Sequence, residues 1–107
     1  MKRGDLVTVV SSGDYGKPRP ALIVQADIHA EHPSVTVLPL TSALHEAPLL
    51  RITIEAGDVT GLRSRSQVMI DKATTVPRAK IGTRIGRLDD ATLATVTGAM
   101  SAFLGIG

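Results

Sequence analysis

The sequence predicts a mostly β fold that is closed by one C-terminal helix. Short apolar or alternating runs are separated by Gly, Pro, Asp and Ser, a pattern typical of a small barrel or sandwich. The periodicity becomes helical after residue 88. The length of 107 residues, 43% of them hydrophobic, suits a single domain over residues 1–107 with one core.

The first two predicted strands come before residue 25. Residues 6–10 form a β-branched apolar run, which ends at the loop-like segment 11–16. The second apolar run, 21–24, follows a Pro-Arg-Pro segment at 18–20. Proline is tolerated at the start of a strand because only the first ladder hydrogen bonds are lost.

The third and fourth predicted strands lie on either side of a polar connection. Residues 35–38 alternate as the third strand, which we expect to stop at Pro39. Residues 50–54 alternate strictly between apolar and polar side chains. One face of this fourth strand should therefore be buried.

The remaining predicted strands are shorter. Residues 66–70 are predicted to form the fifth strand, after turn residues at Gly57 and Gly61. Residues 74–76 and 81–88 supply two further strands.

The last predicted element is an amphipathic helix. Apolar residues recur at helical spacing, at Leu93, Val96, Met100, Phe103 and Leu104. Asp89 suits the N-cap and Asp90 the positive end of the helix dipole. Gly105 is able to end the helix.

The composition excludes several classes of site. There is no cysteine, which rules out disulfides, thiolate metal sites and a cysteine nucleophile. The only aromatic residues, Tyr15 and Phe103, are too few for rows of base-stacking rings. No apolar stretch has the length of a signal peptide or a membrane helix, so we expect a cytoplasmic protein with no membrane partner.

Positive charge is concentrated in the middle of the chain. Residues 51–87 carry eight basic and three acidic side chains, whereas residues 1–50 carry four and five. The basic segment either faces a polyanion or forms ordinary solvated surface, and charge alone does not separate these alternatives.

Two short segments are candidates for a functional site. Prolines on both sides of Arg19 restrict it at the mouth of a strand. Its guanidinium either binds an anion in bidentate fashion or lies solvated in a turn. Thr41 and Ser42 follow a strand end, where their hydroxyls either bind phosphate or cap a turn.

The strongest metal motif is His29-x-x-His32. This spacing would serve on a helix, but Pro33 and the polar neighbours favour a loop. No cysteine completes a tetrahedral set. We therefore expect surface histidines here, and neither a metal site nor a cofactor.

Taken together, the apolar runs and the residues between them resemble a known family. The segments that carry the resemblance are 3–7, 17–25, 37–42, 66–71, 75–76 and 85–88. They follow one another over essentially the whole chain, in the order and at the spacing of type II toxins of the MazF/PemK family. Each segment alone is a weak signal, but the ordered set is fairly specific.

The resemblance implies an SH3-like barrel of the CcdB/MazF type that acts as a homodimer. It implies an endoribonuclease, an mRNA interferase that cleaves single-stranded RNA at specific sequences by attack of the 2′-hydroxyl, without a metal. It also implies neutralisation by a cognate antitoxin, whose flexible acidic C-terminal segment occupies the RNA groove.

The resemblance further implies roles for individual residues. The family's arginine before proline corresponds to Arg19, which would stabilise the phosphate charge, and its strand-end threonine to Thr41, which would orient the scissile phosphate. Asp71 matches an acidic position that some members use as a base. Those members often have an arginine where Met69 stands, so both a catalytic and a structural role for Asp71 are open. The residues expected to bind RNA are Lys17, Gln25, Ser42, Tyr15 and Arg65.

Two alternatives keep the barrel but change its activity. One is a non-catalytic toxin resembling the CcdB poisons of DNA gyrase, which act through the end of the C-terminal helix with a tryptophan. This chain has no tryptophan, which ranks that alternative second. The other is a non-toxic SH3-like interaction module, whose induction would cause no growth arrest.

Overall fold

Seven strands and a C-terminal α-helix make up the main regular structure of the described residues. The computed structural model describes residues 1–10 and 16–107. The strands are β1 (Asp5–Val10), β2 (Pro18–Ile23), β3 (Ser34–Thr41), β4 (Arg51–Ile54), β5 (Ser66–Met69), β6 (Thr74–Pro77) and β7 (Ile81–Arg87), and the helix is α1 (Asp90–Leu104). The predicted mostly β fold with a closing helix is confirmed.

All strand pairings are antiparallel, and β3 is the strand that changes partners. The strand order is β4-β5-β3-β2-β1-β7, with β6 paired to the first half of β3. On one edge, residues 34–37 of β3 pair with β6, whereas Leu40 and Thr41 pair with β5. On the other edge, the pairing of β3 with β2 ends at Pro39, opposite Ala21. The sheet therefore divides after Pro39, where β3 is no longer paired with β2 but is paired with β5 on its other edge.

The prediction that the third strand stops at Pro39 is wrong, since β3 runs on to Thr41. Backbone groups alternate between the two edges of a strand. The backbone carbonyl of Thr36 accepts a hydrogen bond of 3.2 Å from the N–H of Val24, which follows β2. The backbone N–H and carbonyl groups of the odd-numbered residues of β3 therefore face the opposite edge. Pro39 meets a gap on that edge, between the residues paired with β6 and those paired with β5, and no ladder bond needs its missing N–H.

The prolines of β2 help to open the division of the sheet. The same alternation directs the backbone of Pro18 and Pro20 towards the β3 side, because Val24 N–H donates to that side. A proline has no N–H to donate, so this edge of β2 lacks donors just where β3 departs. Towards β1 the ladder continues, with Arg19 opposite Val9.

Apolar side chains form two core clusters because successive residues of a strand point to opposite faces of the sheet. The larger cluster packs against α1 and includes Leu6, Leu22, Leu38, Val68, Leu88 and Val96. The other includes Val7, Val9, Ala21, Ile23, Val35 and Val37. Burial of each large side chain contributes about 1.5–3 kcal/mol, so the alternating residues hold the sheet and helix together.

The helix begins and ends as the sequence predicts. The Asp89 carboxylate caps α1 by accepting from Thr92 N–H at 3.4 Å, and Gly105 ends it with a φ of 72°. Val96 is fully buried. Phe103 and Leu104 in the last turn are half exposed, so this end of the helix leaves an apolar surface uncovered.

Candidate functional site

A groove opens where the sheet divides. It has a volume of about 600 Å³. Its walls come from the start of β2, the end of β3 and the loop before β5, and Thr8 and Ile85 contribute from β1 and β7. The described lining residues are Thr8, Lys17, Pro18, Arg19, Pro20, Leu40, Thr41, Ser42, Gly61, Leu62, Arg63, Ser64, Ser66 and Ile85. Four of the predicted site residues, Lys17, Arg19, Thr41 and Ser42, are thus brought together.

Arg19 and Thr41 lie on the two sides of the division. The ladder between β2 and β3 pairs Ile23 with Val37 and Ala21 with Pro39. Carrying this register two residues further places Arg19 opposite Thr41. The two strands separate here, so a ligand in the groove meets a guanidinium from one side and a hydroxyl from the other.

The Thr41 side chain is held in place by its own turn. Its Oγ1 accepts from Ala43 N–H at 3.1 Å, which fixes the oxygen and leaves the hydroxyl proton for a ligand. Gln67 braces the same turn from the neighbouring strand, since its side chain bonds both to His45 N–H and to the His45 carbonyl at 3.0 Å. These contacts order the residues that follow β3.

The loop before β5 adds a cation that sequence reasoning missed. Arg63 lines the groove and is exposed. Its neighbour Leu62 is buried in the larger core cluster, which fixes the loop beside it. The only signal in the sequence was a basic residue next to an apolar one after the turn glycine Gly61.

The groove is positively charged. Lys17, Arg19 and Arg63 all lie in its lining, and no described lining residue is acidic. Hydroxyls at Thr41 and Ser42 supply neutral hydrogen-bonding groups beside these cations. Such a lining suits an extended polyanion, because cations attract its phosphates and hydroxyls orient them.

Gln25 was predicted to bind RNA, but the structure places it outside the groove. Its Nε2 donates to the carbonyls of His29 at 3.1 Å and Ser34 at 3.0 Å, and its Oε1 accepts from Thr36 N–H at 2.9 Å. These bonds join the loop after β2 to the start of β3. Gln25 is six residues beyond Arg19, or about 20 Å along an extended chain.

Asp71 lies in the 3₁₀ turn Ile70–Lys72, which packs against α1, and not in the groove lining. Its carboxylate forms an ion pair with Arg51, and Lys72 Nζ lies 3.9 Å from its other oxygen. The hydrogen bond from Arg51 is the main cause that holds the pKa of Asp71 below its ordinary value. Its place in the fold favours the structural role over the catalytic one.

Arg65 also lies outside the groove. Its Nε donates to the Glu55 carboxylate at 3.0 Å, across the β4–β5 hairpin. Other cations of the basic middle segment are likewise engaged, Arg51 with Asp71 and Arg84 with Asp5 at 3.1 Å. Among the described cations of that segment, Arg63 is the one that lines the groove. Tyr15, the remaining predicted RNA contact, lies outside the described residues.

Fold and groove together define a small β-rich protein with a cationic cleft for a polyanion. A model of the PemK-like, MazF-like toxins of type II toxin-antitoxin systems matches residues 2–104. The chain is 49% identical over 107 residues to a probable endoribonuclease MazF of Mycolicibacterium smegmatis (strain ATCC 700084 / mc(2)155), covering 99% of this chain and 98% of that protein. The chain therefore belongs to the PemK-like, MazF-like toxin family, as its sequence resemblance predicts.

Solved structures show the same fold. The Mycobacterium tuberculosis toxin MazF-mt6 matches with a TM-score of 0.82 and 23% identity, over 96% of this chain and 98% of that one. A MazE-MazF crystal structure from Deinococcus radiodurans matches with a TM-score of 0.80 and 24% identity, over 100% and 97% of the two chains. A further match, with a TM-score of 0.81 and 22% identity over 100% and 97%, is an endoribonuclease in complex with its cognate antitoxin from a mycobacterial species. In the described residues, no helix is long and apolar enough to cross a membrane.

Proposed function

We propose that this chain is the toxin of a type II module and that it cleaves single-stranded RNA at specific sequences without a metal. The observation that carries the proposal is the groove, whose lining combines Arg19 of β2 and Thr41 of β3 with further cations. Family membership and the endoribonuclease named at 49% identity support it over a gyrase-binding toxin. Its place of action is the cytoplasm, where its RNA substrate is found.

The proposed reaction is attack of a 2′-hydroxyl on the adjacent phosphate. The 2′-hydroxyl gives up its proton to water as its oxygen bonds to phosphorus, the bond from phosphorus to the 5′-oxygen breaks, and that oxygen takes up a proton from water. The products are a cyclic 2′,3′-phosphate and a 5′-hydroxyl end. Arg19 stabilises the negative charge that develops on the phosphate. Thr41 donates a hydrogen bond from its hydroxyl to a phosphate oxygen and so orients the group for in-line attack.

The proposed antitoxin uses the same groove. Lys17, Arg19 and Arg63 attract a flexible acidic segment as they attract RNA. Because the groove is open to solvent and has no described carboxylate in its lining, an acidic peptide has direct access to it. Occupation by that segment excludes RNA, which accounts for neutralisation by competition.

The proposed homodimer uses an apolar face between α1 and residues 47–52. This face encloses about 780 Å³ and is lined mostly by apolar side chains, with Leu49 81% exposed and Phe103 50% exposed. An exposed apolar patch of this kind marks an interaction site. A second copy of the chain is the occupant that the family resemblance implies.

The dimer proposal is tested by the mass of the protein in solution. We expect Leu49→Glu to shift the mass measured by light scattering from dimer towards monomer. Ile28→Glu is the matched control, since Ile28 is 85% exposed and does not line the apolar face. An unchanged mass for Leu49→Glu would place the interface elsewhere.

The activity is tested with purified protein and a long unstructured RNA in EDTA. We expect cleavage at a few defined positions, with products that carry 5′-hydroxyl ends. Arg19→Ala should reduce the rate by about 10²–10³-fold, the cost of losing one group that stabilises the transition state. Full cleavage by a folded Arg19→Ala protein would overturn the assigned role, and no cleavage by the unchanged protein across varied sequences would overturn the activity.

A further inference from the structure

Arg63 is a groove cation to which the proposed function assigns no step of the reaction. We infer that Arg63 binds a backbone phosphate next to the scissile one, and that it sets the affinity for RNA rather than the rate of the chemical step. The inference rests on the proposed function in so far as the polyanion is RNA. It is carried by three observations on the loop, the guanidinium and the spacing of the strands.

The loop that presents Arg63 is packed tightly against β7. A Cβ at Gly61 would lie 1.9 Å from the carbonyl oxygen of Ile85, and a Cβ at Gly86 would lie 2.3 Å from the Thr60 carbonyl. The backbones therefore approach as closely as glycine allows. Arg87 N–H adds a hydrogen bond of 2.9 Å to the Val59 carbonyl.

The chain on both sides of Arg63 is also fixed. Leu62 before it is buried in the core. The carbonyl of Ser64 after it accepts from the buried Ser66 hydroxyl at 3.0 Å. Arg63 thus starts from an ordered backbone, so less conformational entropy is lost when its side chain binds a ligand.

The guanidinium of Arg63 makes no hydrogen bond or ion pair with any residue of 1–10 or 16–107. Arg65, two residues further along the same loop, is held by Glu55. Arg63 is exposed and lines the groove. Its planar fork therefore remains available for bidentate binding of a phosphate.

The strand order separates Arg63 from Arg19. The strands β2, β1 and β7 are neighbours, and the Arg63 loop lies on Ile85 of β7. Two strand spacings, about 10 Å, therefore lie between the backbone of Arg19 and the strand beneath Arg63. From this backbone separation, Arg63 is inferred to contact a phosphate other than the scissile one. Such a contact binds the ground state and the transition state alike, so Arg63 affects KM more than kcat.

The test compares Arg63→Ala with Arg65→Ala, which removes the same charge from the same loop outside the groove. We expect Arg63→Ala to raise KM for a mapped RNA substrate about tenfold, the loss of one charge-assisted contact, with kcat changed less than about twofold. Binding of a cleavage-resistant 2′-O-methyl RNA should lose about 0.7 from the slope of log K against log salt. Arg63→Lys should recover part of the affinity, and Arg65→Ala should change neither KM nor the slope.

The outcomes separate this inference from the proposed function. Equal rises in KM for the two alanine variants would overturn it in favour of overall charge, and a fall in kcat at constant KM would overturn it in favour of a role in the chemical step. If the unchanged protein cleaves no RNA, but Arg63→Ala alone weakens binding of the 2′-O-methyl RNA, the proposed activity fails and the phosphate contact stands. If the unchanged protein neither cleaves nor binds RNA, both are overturned.

Discussion

Gly61 is the residue through which the stability of the fold and the shape of the groove are most directly linked. It has a φ of +71°, and a Cβ there would lie 1.9 Å from the Ile85 carbonyl oxygen and 2.6 Å from the carbonyl carbon. An alanine in the left-handed region costs about 1–2 kcal/mol. The clash is with the backbone of β7, which is paired with β1, and relief of such overpacking costs about 1–3 kcal/mol more. We therefore expect Gly61→Ala to lower the free energy of unfolding by about 2–5 kcal/mol.

Thermal and urea unfolding followed by circular dichroism measure this loss. A chain of this size shifts its midpoint by about 4 °C per kcal/mol, so the midpoint should fall by about 8–20 °C. Gly105→Ala is the matched control, because Gly105 has a φ of +72° and no heavy atom within 4 Å of the added Cβ. It should lose only the conformational part, about 1–2 kcal/mol. Equal losses in the two variants would refute the argument that the close approach of the loop to β7 constrains this position.

Two further predictions concern residues outside the groove. Arg51 holds the pKa of Asp71 below its ordinary 3.8, so the contribution of the Asp71 carboxylate to stability is present above about pH 4 and is lost as the pH falls through the lowered pKa. Asp71→Asn should therefore flatten the acid limb of the free energy of unfolding, measured from pH 2 to 6, while RNA cleavage continues. Loss of cleavage by the folded variant would instead support a catalytic role. Gln25→Ala removes three hydrogen bonds to backbone groups and should cost about 1–3 kcal/mol in urea unfolding with KM for RNA unchanged, whereas a raised KM in the folded variant would restore Gln25 to the RNA contacts.

The elements of this fold were predictable because their signals are local. Alternation in residues 50–54 and the caps at Asp89 and Gly105 depend on neighbours a few residues away. The extent of β3 was not predictable in this way. Whether a strand continues through Pro39 depends on which residues its partner strands pair with. In β3 the residues before Pro39 pair with β6 and the residues after it pair with β5, and neither pairing can be read from the local sequence.

The same distinction applies to the groove. Arg19 and Thr41 carry family motifs, and both line the groove where β2 and β3 separate. Arg63 was missed because its exposure in the groove depends on the contact between Gly61 and β7, which is distant in sequence. The prediction that Arg65 binds RNA did not take account of Glu55, which lies across the hairpin and pairs with it. Nothing near Arg65 in the sequence reveals this contact.

The prolines beside Arg19 have a larger role than its restriction. In β2, Pro18 and Pro20 face the side from which β3 departs, and neither has an N–H for a ladder bond. A strand edge with ordinary residues would continue its pairing with β3, and Arg19 and Thr41 would then become cross-strand neighbours in a closed sheet. Because the donors are missing, the pairing of β3 with β2 ends at Pro39, and the space between the two strands becomes the groove. The Pro-Arg-Pro segment therefore both presents the guanidinium and helps to open the cleft in which it acts.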